Sequence, residues 1–324
     1  MTIKSRSPDK VGIQAAGRAL ALGPPVGLVL AAVVGLASIA CGSSGDSDWP
    51  EVLTLRTGTY ARVVSNELTV GQSRFVFGLL NKDDEPITDA AVRVRFFNLD
   101  ESKSTPVMQA EARQVHTGGT VPEYEWLYDT SVSFPTAGDW GAEFDIERPG
   151  QDSEIVRYRF PVHGEPLTFV IGDAVPRTKN LTLDDVGGNL SDRHLTTDPA
   201  PDAAMYQMTI AEALGTGKPL VAVFATPGFC VTRTCGPMLD VVKGVRPEFD
   251  DRVNFIHVEI IDLDATTTNG EVVYNSFYDE WKLPSEPWTF VVDREGRVYA
   301  KFEGVLLPDE LRDVLNRLLA QDAA

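Results

Sequence analysis

The spacing of hydrophobic residues divides the chain into two patterns. Over residues 49–166, short runs rich in β-branched and aromatic residues alternate with turn residues. In the run AVRVRFF, Val92, Val94 and Phe96 alternate with arginines, which is the period-two pattern of a strand buried on one face. About seven runs of this kind occur without a helical period, as in β-sandwich domains. They predict an all-β, antiparallel sandwich over residues 49–166.

From Met205 onward, helical and strand patterns alternate. Thr209 and Glu212 have the spacing of a capping box, which predicts a helix ending near residues 215–217. The apolar run 219–225 predicts a strand buried on both faces, and apolar residues after Pro308 repeat at helical spacing. Further strands are predicted at 253–261, 288–292 and 297–302, and further helices from Gly236 and at 272–281. This order predicts a mixed sheet covered by helices, an α/β domain over residues 205–324.

The amino-terminal segment has the pattern of a targeting signal. Basic residues precede an apolar stretch at 19–40, and small residues stand directly before Cys41. This pattern resembles a bacterial lipoprotein signal peptide, in which Cys41 is lipidated; an uncleaved membrane anchor and ordinary secretion are the alternatives. All three place the rest of the chain outside the cytoplasm, at the bacterial cell surface if it is anchored in the membrane. We expect residues 1–40 to be the targeting segment, 41–48 a tether and 167–204 a linker.

Charge and cysteine content narrow the choice of partners. The 324 residues include 47 acids and 29 bases, a net charge of −18. A surface this acidic disfavours nucleic acid and anionic lipid as partners. If Cys41 carries lipid, Cys230 and Cys235 are the two thiols left. Two cysteines close in sequence, in an oxidising compartment, most simply form a disulfide with each other.

Two segments carry a resemblance to a known family. Cys230 follows a strand end, Phe224-Ala225-Thr226, and the second segment is PWTFVVDREG at 287–296. These segments and the order of elements resemble membrane-tethered thiol–disulfide oxidoreductases with the thioredoxin fold, over residues 205–324. The resemblance implies exchange with protein thiols through the cysteine pair without a cofactor, and it assigns Pro287 as the fold's cis-proline beside the disulfide. The amino-terminal sandwich has a general likeness to immunoglobulin-like domains.

The cysteine motif departs from that family in its spacing. Thioredoxins separate their cysteines by two residues, whereas four intervene between Cys230 and Cys235. A thiol attacks as thiolate, and a helix start near Gly236 together with the cation Arg233 could stabilise that charge. The helix dipole favours Cys235, but the family resemblance implies Cys230 as the attacking cysteine and Cys235 as the resolving one. Arg233 could equally be a solvated loop charge.

Three other interpretations stay open. The pair could be a structural disulfide, although closing so short a loop gains little stability. It could bind copper with His257, as in Sco-type proteins of related fold. It could belong to a peroxidase, in which Thr226 would be the catalytic threonine, although it lies one residue further from Cys230 than that family requires. Trp288 is expected in the core or as a lining of the substrate groove.

Overall fold

The computed structural model describes residues 49, 58–101, 106–117, 126–230 and 234–321. All of them belong to one compact unit, Gly45–Ala324. The predicted targeting segment, Cys41, the tether and Arg233 lie outside the described residues. Among the helices that are described, none has the length and apolar character needed to cross a membrane.

The amino-terminal half is an antiparallel sandwich of seven strands in the described residues. Their order is β1-β2-β5-β4-β3-β6-β7, and β4 pairs with β3 through its first half and with β5 through its second half. The strands therefore group as β1-β2-β5-β4 and β3-β6-β7, the arrangement of constant-type immunoglobulin domains, which confirms the predicted fold. The strands are β1 (Tyr60–Val63), β2 (Gly71–Leu80), β3 (Ala91–Asn98), β4 (Met108–His116), β5 (Trp126–Phe134), β6 (Gly138–Glu147) and β7 (Glu154–Val162).

The sandwich core follows from the alternation seen in the sequence. Val92, Val94 and Phe96 of β3 are buried, whereas the arginines between them face outward and pair with acidic residues. Aromatic side chains fill the space between the two layers, with Phe77 and Phe144 4.6 Å apart at their ring centres. Burial of these large apolar surfaces supplies most of the drive for the sandwich to form.

The carboxy-terminal half is a four-stranded mixed sheet with helices packed on it. The strands lie in the order β11-β10-β8-β9; β8 and β9 are parallel and the other neighbours antiparallel. All residues of β8 and β10 are buried, as predicted for the apolar run. The elements are α1 (Ile210–Ala213), β8 (Leu220–Phe224), α2 (Cys235–Val245), β9 (Asn254–Val258), α3 (Leu263–Asn269), α4 (Ser276–Glu280), β10 (Trp288–Val292), β11 (Val298–Glu303) and α5 (Pro308–Gln321).

Local signals place some helices correctly and miss another. The Thr209 and Glu212 capping box is present in full, and α5 begins at Pro308 as predicted. The helix predicted at 272–281 is shorter, and α3 was not predicted. Asp262 caps α3 and Gly270 ends it at a φ of 74°, but its threonine-rich interior has too low a helix propensity to stand out in the sequence.

The predicted linker packs against the carboxy-terminal half. Thr178 accepts a hydrogen bond from Trp281 Nε1 at 2.8 Å, and the side chain of Asn180 accepts one from the backbone of Ile210 at 2.8 Å. Leu195 is buried in the same core as the α2 helix. The segment therefore forms part of the surface around the carboxy-terminal sheet.

The sandwich contacts the carboxy-terminal half beside the end of β11. Glu303 accepts backbone hydrogen bonds from Asn66 and Glu67 at 2.9–3.1 Å, and Glu67 in turn pairs with Lys301. An apolar cluster joins Val305 to four buried sandwich residues, Val64, Val76, Val115 and Leu127. The two halves are thus held by both polar and apolar contacts.

Gly304 sits at this contact in a conformation that suits glycine. Its φ is +65°, and a Cβ there would lie 2.6 Å from Val64 Cγ1. We expect Gly304→Ala to lower the free energy of unfolding by about 1–3 kcal/mol, measured by urea denaturation. Gly244→Ala is the control, because a Cβ at that helical position meets nothing within 4 Å. Equal stability of Gly304→Ala and the wild type would contradict the packing described.

Candidate functional site

Cys230 and Cys235 form a disulfide where β8 leads into α2. Their Cα atoms are 6.1 Å apart, and Cys235 is the first residue of α2. Cys235 is fully buried and Cys230 is half-buried. The backbone N–H of Cys235 donates to Cys230 Sγ at 3.4 Å. The start of the helix is therefore directed at the sulfur of Cys230, where it would stabilise negative charge.

Pro287 lies at the start of β10 after a cis peptide bond, Glu286–Pro287. Its carbonyl accepts a hydrogen bond from the Gly304 backbone at 3.0 Å, which ties this turn to the segment after β11. Trp288 is 1% exposed, and its indole nitrogen donates to Ser285 at 3.1 Å. Trp288 is therefore a core residue, one of the two roles expected for it.

Glu286 brings a carboxyl group to the disulfide, which sequence reasoning missed. A carboxylate oxygen of Glu286 and the two Sγ atoms all lie within 4.8 Å of one another. The side chain is 5% exposed. Burial first and the charge of Glu259 second raise the pKa of Glu286 to about 7, although hydrogen bonding by Thr226 and Tyr274 opposes the shift. Near neutral pH this carboxyl can therefore both release and accept a proton.

A second buried acid, Glu259, lies behind Glu286. Its carboxylate accepts hydrogen bonds from the backbone and hydroxyl of Thr197 at 2.7 and 2.8 Å. Burial raises the pKa of Glu259 to about 6, opposed by the Thr226 and Thr197 hydroxyls. Thr226, which is fully buried, acts on the pKa of both acids. Because the two carboxyls interact, they titrate as a coupled pair.

His257 is a buried residue whose two ring nitrogens both form hydrogen bonds within the protein. Its Nε2 lies 3.0 Å from the Ala225 carbonyl and its Nδ1 lies 2.7 Å from the Tyr206 hydroxyl. A carbonyl can only accept, so Nε2 carries the proton and Nδ1 accepts from the tyrosine. Burial lowers the pKa of His257 to about 4. Both ring nitrogens are occupied, so the ligand set of two cysteines and His257 is not supported. Among the described residues, the metal-capable group at the cysteines contains Glu286 instead.

Some of the predicted site residues lie together in the structure and others do not. Cys230, Cys235 and the turn of Pro287 come together, Thr226 lies behind them beside the two acids, and His257 points into the core. Arg233 and Cys41 are outside the described residues. An acidic residue directly before the proline was the one signal that could have identified Glu286, and no spacing rule connects it to cysteines more than fifty residues earlier.

The class of the carboxy-terminal half follows from its fold and from comparison with known families. Residues 206–319, about a third of the chain, match the family model of the thioredoxin-like domain. This part of the chain is a thioredoxin-like domain, with its disulfide at the start of a helix and a cis-proline directly before β10 of its sheet.

Particular solved structures resemble parts of the chain. A Chlorobium tepidum protein assigned as the thiol:disulfide interchange protein DsbE is 11% identical, with a TM-score of 0.33, over 47% of this chain and 99% of its own. A DsbF homologue from Corynebacterium diphtheriae is 17% identical (TM-score 0.27; 34% of this chain, 77% of its own). A thio-disulfide isomerase from Thermus thermophilus is 27% identical (TM-score 0.25; 31% and 79%). No curated protein sequence matches the chain.

Proposed function

We propose that this protein is an extracytoplasmic thiol–disulfide oxidoreductase that acts on protein thiols or disulfides through Cys230 and Cys235. The observation that carries the proposal is the disulfide itself, between a half-buried and a buried cysteine at the start of α2 in a thioredoxin-like domain. It requires no cofactor beyond this cysteine pair. The amino-terminal signal pattern supports a location outside the cytoplasm, with attachment to the membrane through lipid on Cys41 or through an apolar anchor.

Exchange proceeds through a mixed disulfide. A substrate thiolate attacks Cys230 Sγ, the Cys230–Cys235 bond breaks, and Cys235 leaves with the electron pair. A second substrate thiolate then attacks the substrate sulfur and releases Cys230 as thiolate. Two electrons pass from the substrate dithiol to the protein, and the two cysteines take up protons. The reverse sequence reduces a substrate disulfide, and the site works in either direction.

The two cysteines have different roles. Cys230 is the more exposed of the two cysteines, and the Cys235 N–H directed at its sulfur would stabilise its thiolate, so we assign Cys230 as the cysteine that substrate meets. Cys235 is buried beside Glu286, and it gains or loses its proton without contact with bulk water. Glu286 therefore holds the proton that leaves Cys235 when that thiol resolves a mixed disulfide.

A turnover assay tests the proposal. The full chain is added to a disulfide-containing protein substrate with dithiothreitol as electron donor, and reduction of the substrate is followed with time. Catalysis predicts a rate that rises in proportion to the concentration of the chain. A rate no faster than that of dithiothreitol alone, for reduction and for the reverse oxidation, would contradict the proposed function.

Metal binding by the reduced pair is a second candidate, favoured by the approach of Glu286 to both sulfurs. Two thiolates and a carboxylate form a donor set that zinc accepts, whereas copper(I) prefers soft ligands alone. We expect any zinc affinity of the reduced chain to fall at least about tenfold in Glu286→Gln, because one ligand is lost. Competition with a chromophoric chelator measures it, with Glu248→Gln, at an exposed acid that pairs with Arg312, as the control outside the ligand group. Equal zinc affinity in Glu286→Gln and the wild type would remove Glu286 from the ligand set.

We do not propose a peroxidase, because the Thr226 hydroxyl hydrogen-bonds to the two buried acids, Glu259 and Glu286.

A further inference from the structure

The segment 193–198, predicted as part of the linker, contacts both the loop that carries the first cysteine of the disulfide and the helix α2. The guanidinium of Arg193 lies 5.3 Å from the ring centre of Phe229, the residue directly before that cysteine. Asp198 forms an ion pair with Lys243 of α2 at 2.7 Å, between side chains that are 5% and 15% exposed. The segment therefore joins this loop to the helix that begins with the second cysteine.

Thr197 contacts the backbone of the loop directly. Its hydroxyl accepts a hydrogen bond from the backbone N–H of Gly228 at 2.9 Å and donates one to Glu259 at 2.8 Å. The backbone N–H of Thr197 donates to the same carboxylate oxygen at 2.7 Å. One hydroxyl therefore joins the backbone two residues before Cys230 to a buried acid.

This contact explains the glycine at position 228. Gly228 has no positive φ, so its backbone conformation is one that other residues adopt as well. A Cβ there would stand 2.8 Å from Thr197 Cβ and 3.4 Å from the Thr197 carbonyl oxygen. A larger residue would push the loop away from Thr197, so glycine is what allows the two backbones to approach each other.

Reduction of the disulfide changes what this loop must accommodate. Two reducing thiols pass two electrons to the disulfide, its S–S bond breaks, the two cysteines take up two protons, and the reducing thiols form a disulfide with each other. The two cysteine sulfurs then separate to non-bonded contact. Cys235 is fully buried at the start of α2, whereas Cys230 is half-buried in the loop. The movement therefore falls on Cys230 and on the backbone that Thr197 holds.

We propose that Thr197 is a positioning residue that holds the loop in the geometry of the disulfide and thereby favours the disulfide over the dithiol. The inference rests on the proposed function and concerns the redox equilibrium of its cysteine pair. Thr197 acts through the backbone of Gly228, and it reduces the conformational freedom that is lost when the disulfide ring closes. The pair therefore has a lower reduction potential than it would have in a loop without this contact.

Equilibration of the full chain with glutathione buffers tests the proposal. Thr197→Val removes the hydroxyl at nearly constant volume, and we expect the equilibrium constant for disulfide formation to fall by about three- to tenfold. A tenfold fall corresponds to a reduction potential higher by about 30 mV. Thr197→Ser keeps the hydroxyl and should stay within about twofold of the wild type. Thr182→Val is the matched control, since the backbone and hydroxyl of Thr182 both donate to one oxygen of Asp185.

Gly228→Ala disturbs the same contact from the side of the loop. The added methyl group pushes the loop away from Thr197 without removing a donor to Glu259, so the potential should shift in the same direction. Gly244→Ala in α2 is the control, since a Cβ there meets nothing within 4 Å. Wild-type potentials in both Thr197→Val and Gly228→Ala would overturn the inference. A shift in Thr197→Val alone would assign the effect to Glu259 and would overturn it as well, whereas a wild-type pair that never equilibrates with glutathione would overturn the proposed function.

Discussion

Cys235→Ser is expected to accumulate a covalent complex with substrate, whereas Cys230→Ser is expected to form none. In Cys235→Ser the half-buried Cys230 still attacks a substrate disulfide, but no second thiol is present to resolve the product. In Cys230→Ser the remaining thiol is fully buried and substrate does not reach it. Turnover falls to the uncatalysed rate in both variants, so the distinction lies in the trapped species.

Mass spectrometry under non-reducing conditions measures the trapped species. The expected mass is that of the chain plus one substrate, released by dithiothreitol. The double variant Cys230→Ser with Cys235→Ser is the control for non-covalent association. A complex that forms through Cys235 and not through Cys230 would reverse the two roles and would mean that the turn opens before reaction.

Glu286→Gln is expected to slow the step that uses Cys235 by about a hundredfold at pH 7, within the range of general acid–base catalysis. In the wild type this step should accelerate as pH rises towards about 7, because the carboxylate form of Glu286 accepts the proton. The glutamine cannot accept it, so that inflection should disappear. The titratable groups facing Glu286 are Glu259, Tyr274, Tyr278 and the two cysteines, and the inflection belongs to the coupled acids together.

Rapid-mixing kinetics with Cys230 already in a mixed disulfide isolate this step. Glu259→Gln provides a second test. Removing the charge of Glu259 should lower the pKa of Glu286 and move the inflection of the pH–rate profile to lower pH. An unchanged rate and an unchanged pH profile in Glu286→Gln would show that the proton reaches Cys235 by another route. A purely structural effect would slow reduction by dithiothreitol equally at every pH.

The same substitution should stabilise the fold at neutral and higher pH. Burial raises the pKa of Glu286 from 4.5 to about 7, so the folded state binds more protons than the unfolded state between these values. Stability therefore falls as pH rises through that window and stays at its lower level above it. Glu286→Gln removes this loss, so it should raise the free energy of unfolding by at most about 3 kcal/mol at pH 8 and by close to nothing at pH 4.5. Urea denaturation at both pH values measures it.

Much of the fold was predictable because its signals are local. The alternation around Val94, the apolar run of β8 and the capping box of α1 are each contained within about ten residues, and each predicted its element. The cysteine pair and Pro287 were recognisable because a known fold places them at set points of its element order. The short helix α3 escaped because its capping residues enclose a sequence with weak helical preference.

The rest of the site depends on contacts that no local pattern encodes. Glu286 reaches the disulfide because the sheet places the start of β10 beside the end of β8, and its pKa depends on burial by several elements. The contact between the sandwich and the start of α2 brings Thr117 beside Thr234 and Pro237, which lie more than one hundred residues later in the chain. His257 was a candidate ligand by residue type alone, and the Tyr206 hydroxyl that occupies it lies on a different element.

Equilibration of the full chain with glutathione buffers tests the central claim, that the Cys230–Cys235 disulfide is redox-active. The fraction of oxidised protein is measured by alkylation and mass spectrometry at each ratio of reduced to oxidised glutathione. We expect one reversible two-electron transition, approached identically from the oxidised and the reduced side. A pair that stays oxidised in every buffer, and that reduces only when the protein is unfolded, would be a structural disulfide and would contradict a redox role for Cys230 and Cys235.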